Sequence, residues 1–149
     1  MLIISACLVG EKVRYDGCHC LHQSLKRLME EEKAVAACPE LMGGCSVPRE
    51  PAEIIGGGGQ DVLNGTARVL TKSGEDVTDM YLMGARLMLQ KAQEVKADLV
   101  ILKENSPSCG SSYIYNGEFT GKKVAGNGVT AALLKQHGFR VAAETDVRE

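Results

Sequence analysis

Short apolar runs that end at or near a cysteine constrain this chain more than any other feature. Residues 2–6 (Leu-Ile-Ile-Ser-Ala) lead into Cys7, residues 34–38 end on Cys38, and residues 98–102 lead into a polar loop that carries Cys109. Runs this short, rich in branched residues, suit strands buried on both faces, as in a parallel sheet. Residues 139–143 read as a last strand of the same kind.

Helical patterns separate these runs. Leu21, Leu25, Leu28 and Met29 recur at helical spacing across residues 21–32,. The longest pattern covers residues 76–96, with Asp76, Thr78 or Asp79 as cap and Leu82, Leu87, Met88, Leu89 and Ala92 available for a core; Gly84 would permit close packing,. Residues 128–136 form a further helix ended by Gly138,. Strands alternating with helices predict an α/β fold: a Rossmann-like, mostly parallel sheet with helices on both faces, in a single domain spanning residues 1–149. Residues 66–71 read as an edge strand, and residues 113–121 as a small hairpin turned at Asn116-Gly117,. Residues 41–59 are rich in glycine and proline and read as loop, with the four glycines at 56–59 as a mobile tip rather than a phosphate loop,.

Composition narrows the function. The chain has 149 residues, 44% apolar and 24% charged, and a formal net charge of −2, which describes a globular chain able to bury one core,. It has no basic run, no Trp and only two Phe, which argues against a nucleic-acid groove,. No stretch approaches the ~18 apolar residues of a membrane span. The N-terminus lacks the positive flank of a signal peptide, so a cytoplasmic location is expected,. Six cysteines among 149 residues are too few for a disulfide scaffold,. In a reducing compartment they point to metal or catalysis.

In open α/β sheets, ligands bind outside the carboxyl ends of the strands. Three successive strand ends there would each deliver one cysteine: Cys7, Cys38 and Cys109. Three thiolates on one rim make a soft-metal site. Three protein ligands, where electron-transfer clusters use four, leave one metal position open for substrate or water. Glu40, two residues past Cys38, is a candidate general acid or base, and Ser106 and Ser108 offer hydroxyls beside Cys109,. The competing readings are plain: buried cysteines often only pack, Glu40 would be a surface carboxylate, and the serines would shape a turn around Pro107. Cys18-His19-Cys20 with His22 has metal-like content. Its spacing is tighter than zinc sites use, and a helix start with incidental polar groups is the simpler account,. Cys45 reads as a spare thiol.

Several segments carry a resemblance. Ser5-Ala6-Cys7-Leu8, Val13-Arg14-Tyr15-Asp16-Gly17, Cys38-Pro39-Glu40, Gly43-Gly44 with Pro48-Arg49, and Ser106-Pro107-Ser108-Cys109-Gly110 occur in this order, followed by Ile114-Tyr115, Phe119, Gly121 and Gly128-Val129-Thr130-Ala131. Together they resemble the bacterial thiouracil desulfidase family across essentially the whole chain. The resemblance implies a 4Fe-4S cluster held by Cys7, Cys38 and Cys109, with one open iron that takes the sulfur of a thiocarbonyl. It implies that a thiolated pyrimidine, thiouracil, becomes uracil with release of sulfide and no net electron transfer. Glu40 matches the family's acid/base carboxylate. Ser106 matches its assisting serine, with Ser108 as the alternative. Cys18, Cys20 and Cys45 are extra to that pattern, and Cys45 stands where an apolar residue is expected. The substrate implied is a free thiobase rather than thiolated transfer RNA, because no basic surface is legible.

Two other classes remain open on the sequence. One is a cluster- or metal-carrying module that senses oxidants or passes sulfur to a partner, supported by the same trio and the additional thiols. The other is a structural zinc domain, which would want four ligands.

Overall fold

The first strand, β1 (Leu2–Ser5), lies inside a four-stranded parallel sheet in the computed structural model, which describes residues 1–10 and 22–146. After β1 the chain makes a short 3-10 turn over Ala6–Val9. It then passes through α1 (Gln23–Glu30), β2 (Ala34–Ala37) and α2 (Pro39–Met42). Next come β3 (Ala52–Ile55), α3 (Gly59–Leu63), β4 (Arg68–Thr71) and the long α4 (Thr78–Glu94). The chain closes with β5 (Leu99–Leu102), β6 (Tyr113–Tyr115), β7 (Lys123–Ala125), α5 (Val129–Gln136) and β8 (Val141–Ala143).

The main sheet has the order β2-β1-β5-β8, and each adjacent pair is parallel. The strands alternate their side chains between two helical layers. Ile3, Val100 and Leu102 pack with Met88 and Ala92 of α4 and Ala131 and Leu134 of α5. Ile4 and Ile101 face the other way and pack with Leu25 of α1. Each such buried aliphatic side chain contributes roughly 1.5–3 kcal/mol. The expected parallel sheet with helices on both faces is therefore what forms.

A second apolar cluster fixes the rest of the chain. Strands β3 and β4 form an antiparallel pair. Their Ile54 and Val69 pack with Val62 of α3, Tyr81 and Ala85 of α4, Ile114 of β6 and Val129 of α5. Thr78 clamps α4 to this hairpin, because its hydroxyl accepts the Val69 N–H at 2.9 Å. Asp76 caps the helix from two residues upstream, accepting the Thr78 N–H at 2.9 Å,.

Three expectations are corrected by the structure. Residues 41–59 are not loop throughout: α2 and β3 lie within them. The glycine run follows a strand and opens α3, and its last residue, Gly59, is buried rather than part of a free tip. Gly59 donates its N–H to the Asn127 carbonyl at 2.7 Å, and a Cβ at that position would overlap the Gly128 carbonyl. Gly59 thus serves a close approach of two backbone segments,. The excursion expected at residues 113–121 is longer than its Asn-Gly signal indicates. β6 pairs with β7, and the connection between them spans residues 116–122.

Candidate active site

β1 is flanked by β2 on one side and β5 on the other, so the chain reverses its direction of travel across the sheet there. Such a switch point opens a crevice at the carboxyl ends of the strands. Here it holds a cavity of about 350 Å³. Cys7, Cys38 and Cys109 all line it, as do Glu40 and Ser106.

Each cysteine is delivered by a different local device. Cys7 sits in the 3-10 turn that ends β1; the turn is closed by Gly10 in the left-handed region, at φ 100°,. Cys38 is the N-cap residue of α2, and Pro39 occupies the first helical position, where its missing N–H costs nothing,. Cys109 lies in the loop after β5, and that loop is held by the start of α5. The N–H groups of Gly128, Val129 and Thr130, which a helix start leaves without intrahelical partners, donate to the carbonyls of Gly110, Pro107 and Ser108 at 2.7–2.9 Å,.

The serines separate by position. The Ser106 hydroxyl oxygen accepts N–H bonds from Ser108 at 3.2 Å and Cys109 at 2.7 Å, and the residue faces the cavity. Ser108 is 1% exposed, pairs with the Thr130 hydroxyl at 2.8 Å and does not line the cavity. Glu40 is paired with Arg49: Nε lies 3.2 Å from Oε2, and the terminal nitrogen NH2 makes a second contact to the same oxygen. Both side chains are only 12% exposed.

Two of the cavity thiols lie where burial disfavours the thiolate. Burial pushes the Cys109 thiol far above its ordinary pKa, and the negative charges of Glu40, Cys38 and Cys7 push it further. Burial also raises Cys38, although the Leu41 N–H at its sulfur works in the opposite direction. A cation among these sulfurs would invert that balance and favour the thiolates. No disulfide links the described cysteines. Among the described residues, no three His, Cys, Asp or Glu side chains converge tightly enough to hold a single metal ion.

Cys45 stands apart. It is buried and its thiol contacts the Met80 sulfur at 4.0 Å; it lines a separate cavity of about 230 Å³ and not the larger one. Burial, then the Glu40 charge, push its pKa up to about 11. Cys18 and Cys20 lie outside the described residues.

Several cavity residues were given no role by the sequence. Arg49 is one. Glu104 is another: its carboxylate accepts the N–H groups of Asn105, Ser111, Ser112 and Tyr113 at 2.8–3.2 Å. Its place two residues after β5 was the available signal. Glu53 accepts the N–H groups of Gly117 and Phe119 at 2.8 and 3.3 Å, which brings Phe119 to the cavity wall beside Tyr115. Lys72 and Lys103 also line the cavity, the latter paired with Glu144 at 3.1 Å. No helix among the described residues is long and apolar enough to cross a membrane.

Comparison with known proteins converges on one group. A solved structure of a 4Fe-4S-dependent thiouracil desulfidase, TudS, superposes with a TM-score of 0.87 at 43% sequence identity, covering 98% of this chain and 91% of that one. An uncharacterised Bacillus subtilis (strain 168) protein, YbbK, is 59% identical over 149 residues, covering 100% of this chain and 99% of the relative. The sequence matches the 2-thiouracil desulfurase family over residues 2–146, and a match of that extent, joined to these two likenesses, means that the chain belongs to that family.

Proposed function

We propose that this protein is a desulfidase that replaces the thiocarbonyl sulfur of a thiolated pyrimidine with oxygen from water. In this reading Cys7, Cys38 and Cys109 hold a 4Fe-4S cluster with one iron left open, and the single unit spanning residues 1–149 works in a reducing cytoplasm. One observation carries the reading: three strand ends bring three cysteines, a carboxylate and a hydroxyl to one cavity at the switch point of the sheet.

When bound, such a cluster supplies a Lewis-acidic iron able to hold and polarise sulfur. The remaining work falls to the chain. Glu40 accepts a proton from the attacking water as its oxygen bonds to the ring carbon. A serine hydroxyl has one donor and two acceptor positions. Both acceptor positions of Ser106 are taken by the Ser108 and Cys109 N–H groups. Its remaining capacity is donation, so Ser106 hydrogen-bonds charge that develops on the ring instead of acting as a base. Tyr115 and Phe119 add an apolar wall of the kind that holds a planar ring and limits water,. The balance is simple: thiouracil and water give uracil and hydrogen sulfide. The carbon–sulfur bond breaks, a carbon–oxygen bond forms, and no electrons are exchanged.

Turnover of 2-thiouracil without oxygen or reductant, in water enriched in heavy oxygen, tests the reading. The uracil formed should carry the heavy oxygen at the former thiocarbonyl position. Unlabelled uracil, or turnover only with an added reductant, would overturn it.

A further inference from the structure

The desulfidase reading gives Glu40 a task but does not say what holds it in place. Glu40 sits on α2, a single turn of helix that offers little rigidity of its own,. Its side chain is only 12% exposed and lines the cavity together with Cys38, Cys109 and Tyr81. Without a partner, a carboxylate on so short a helix is free to swing away from the cavity.

Arg49 supplies that partner. It reaches Glu40 through two nitrogens, Nε and NH2, while NH1 donates to the Ser46 carbonyl at 2.9 Å. The planar guanidinium therefore joins the carboxylate to the loop that follows α2. That loop is itself tied back to the helix, since the Cys45 N–H donates to the Glu40 carbonyl at 3.0 Å. A lysine could supply the charge but not the fixed fork. We propose that Arg49 is the positioning residue of the desulfidation site: it touches Glu40 from the loop side and fixes the carboxylate's direction toward the cavity. The inference rests on the desulfidase reading. Wild-type protein without activity would sink that reading, whereas active wild type with an indifferent Arg49 would sink only this inference.

The experiment uses cluster-loaded wild type, Arg49→Ala, Arg49→Lys, Glu40→Ala and the double variant Arg49→Ala/Glu40→Ala. Four readouts are taken: the cluster absorption spectrum, kcat and KM for 2-thiouracil, the Kd of uracil, and recovery of Arg49→Ala by added guanidinium ion. Arg49→Ala should keep the spectrum and the uracil Kd while kcat falls about 10²-fold, the cost of a misplaced catalytic group. Arg49→Lys should recover part of that loss. Guanidinium should recover part of the Arg49→Ala loss and none of the Glu40→Ala loss. In the Glu40→Ala background, removing Arg49 should cost nothing more, because its effect passes through that carboxylate. Four outcomes would overturn the proposal: kcat within about threefold of wild type, a rise in KM and uracil Kd with kcat retained, loss of the cluster, or additive losses in the double variant.

Discussion

The Ser106 hydroxyl oxygen accepts the Cys109 backbone N–H at 2.7 Å. The hydroxyl assigned to the reaction and the thiol assigned to the cluster thus belong to one turn, and the serine cannot move without disturbing the cysteine. Ser106→Ala removes both the donor to the ring and the acceptor for two N–H groups. It is expected to lower kcat, by less than loss of Glu40 does, and to cost about 1 kcal/mol of stability. Ser108→Ala breaks the buried pair with Thr130. Its loss should appear mainly in the melting temperature, with activity per cluster closer to wild type. Kinetics and thermal melts on the two variants decide the assignment: if Ser108→Ala has the larger loss in kcat, the roles are reversed.

The cysteines divide by which cavity they face. Cys7→Ser, Cys38→Ser and Cys109→Ser should each lose most bound iron and acid-labile sulfide. Cys45→Ser should retain them, because Cys45 lines the other cavity. Cys18→Ser and Cys20→Ser are also expected to retain them. Iron and sulfide analysis of anaerobically purified variants measures this directly, and retention in any of the first three would remove that residue from the ligand set.

The approach of α2 to α4 ties the fold to the chemistry. A Cβ on Gly84 would overlap the Pro39 carbonyl, and one on Gly43 would overlap the Met80 carbonyl. Gly84→Ala must therefore push away the turn that bears Glu40. Overpacking of this kind costs about 1–3 kcal/mol. Activity should fall by more than the fraction of protein unfolded accounts for. A variant that melts and turns over like wild type would show that the helices have room to adjust.

The meeting of Cys7, Cys38, Cys109 and Glu40 at one sheet edge, and the close approach at Gly84, were legible in the sequence because each follows from local pattern and one topological rule. Apolar runs mark strands, strand ends share an edge, and a glycine inside a helix marks a close neighbour. Arg49 was not legible, because its contact with Glu40 depends on the path of a loop with no periodicity. Strand β3 was missed for a related reason. Glu53 interrupts its apolar pattern, yet its buried carboxylate is used, holding the Gly117 and Phe119 N–H groups. The glycine run at 56–59 was misread because the contact that requires Gly59 lies at Asn127 and Gly128, far along the chain.

Glu104 should set part of the acid sensitivity. Burial pushes its pKa up, but the N–H groups of Ser112, Tyr113, Asn105 and Ser111 together outweigh this and hold it below the usual range. A depressed carboxyl pKa contributes stability that is complete above the unfolded value, about 4.3 for Glu. That stability is lost as pH falls through the lower folded value. Glu104→Ala leaves these donors without their acceptor and is expected to cost roughly 2–4 kcal/mol at neutral pH. Its stability should also depend less on pH below about 4.3 than that of wild type. Denaturant unfolding at neutral and acid pH checks both, and an unchanged acid slope would contradict the assignment.

The most direct test of the central claim is anaerobic turnover of 2-thiouracil by protein of measured iron and sulfide content. The account predicts about four irons and four sulfides per chain, equal amounts of uracil and sulfide formed without added reductant, and a rate proportional to cluster content. Protein fully loaded with cluster that releases no sulfide from 2-thiouracil or any other thiolated pyrimidine would contradict it.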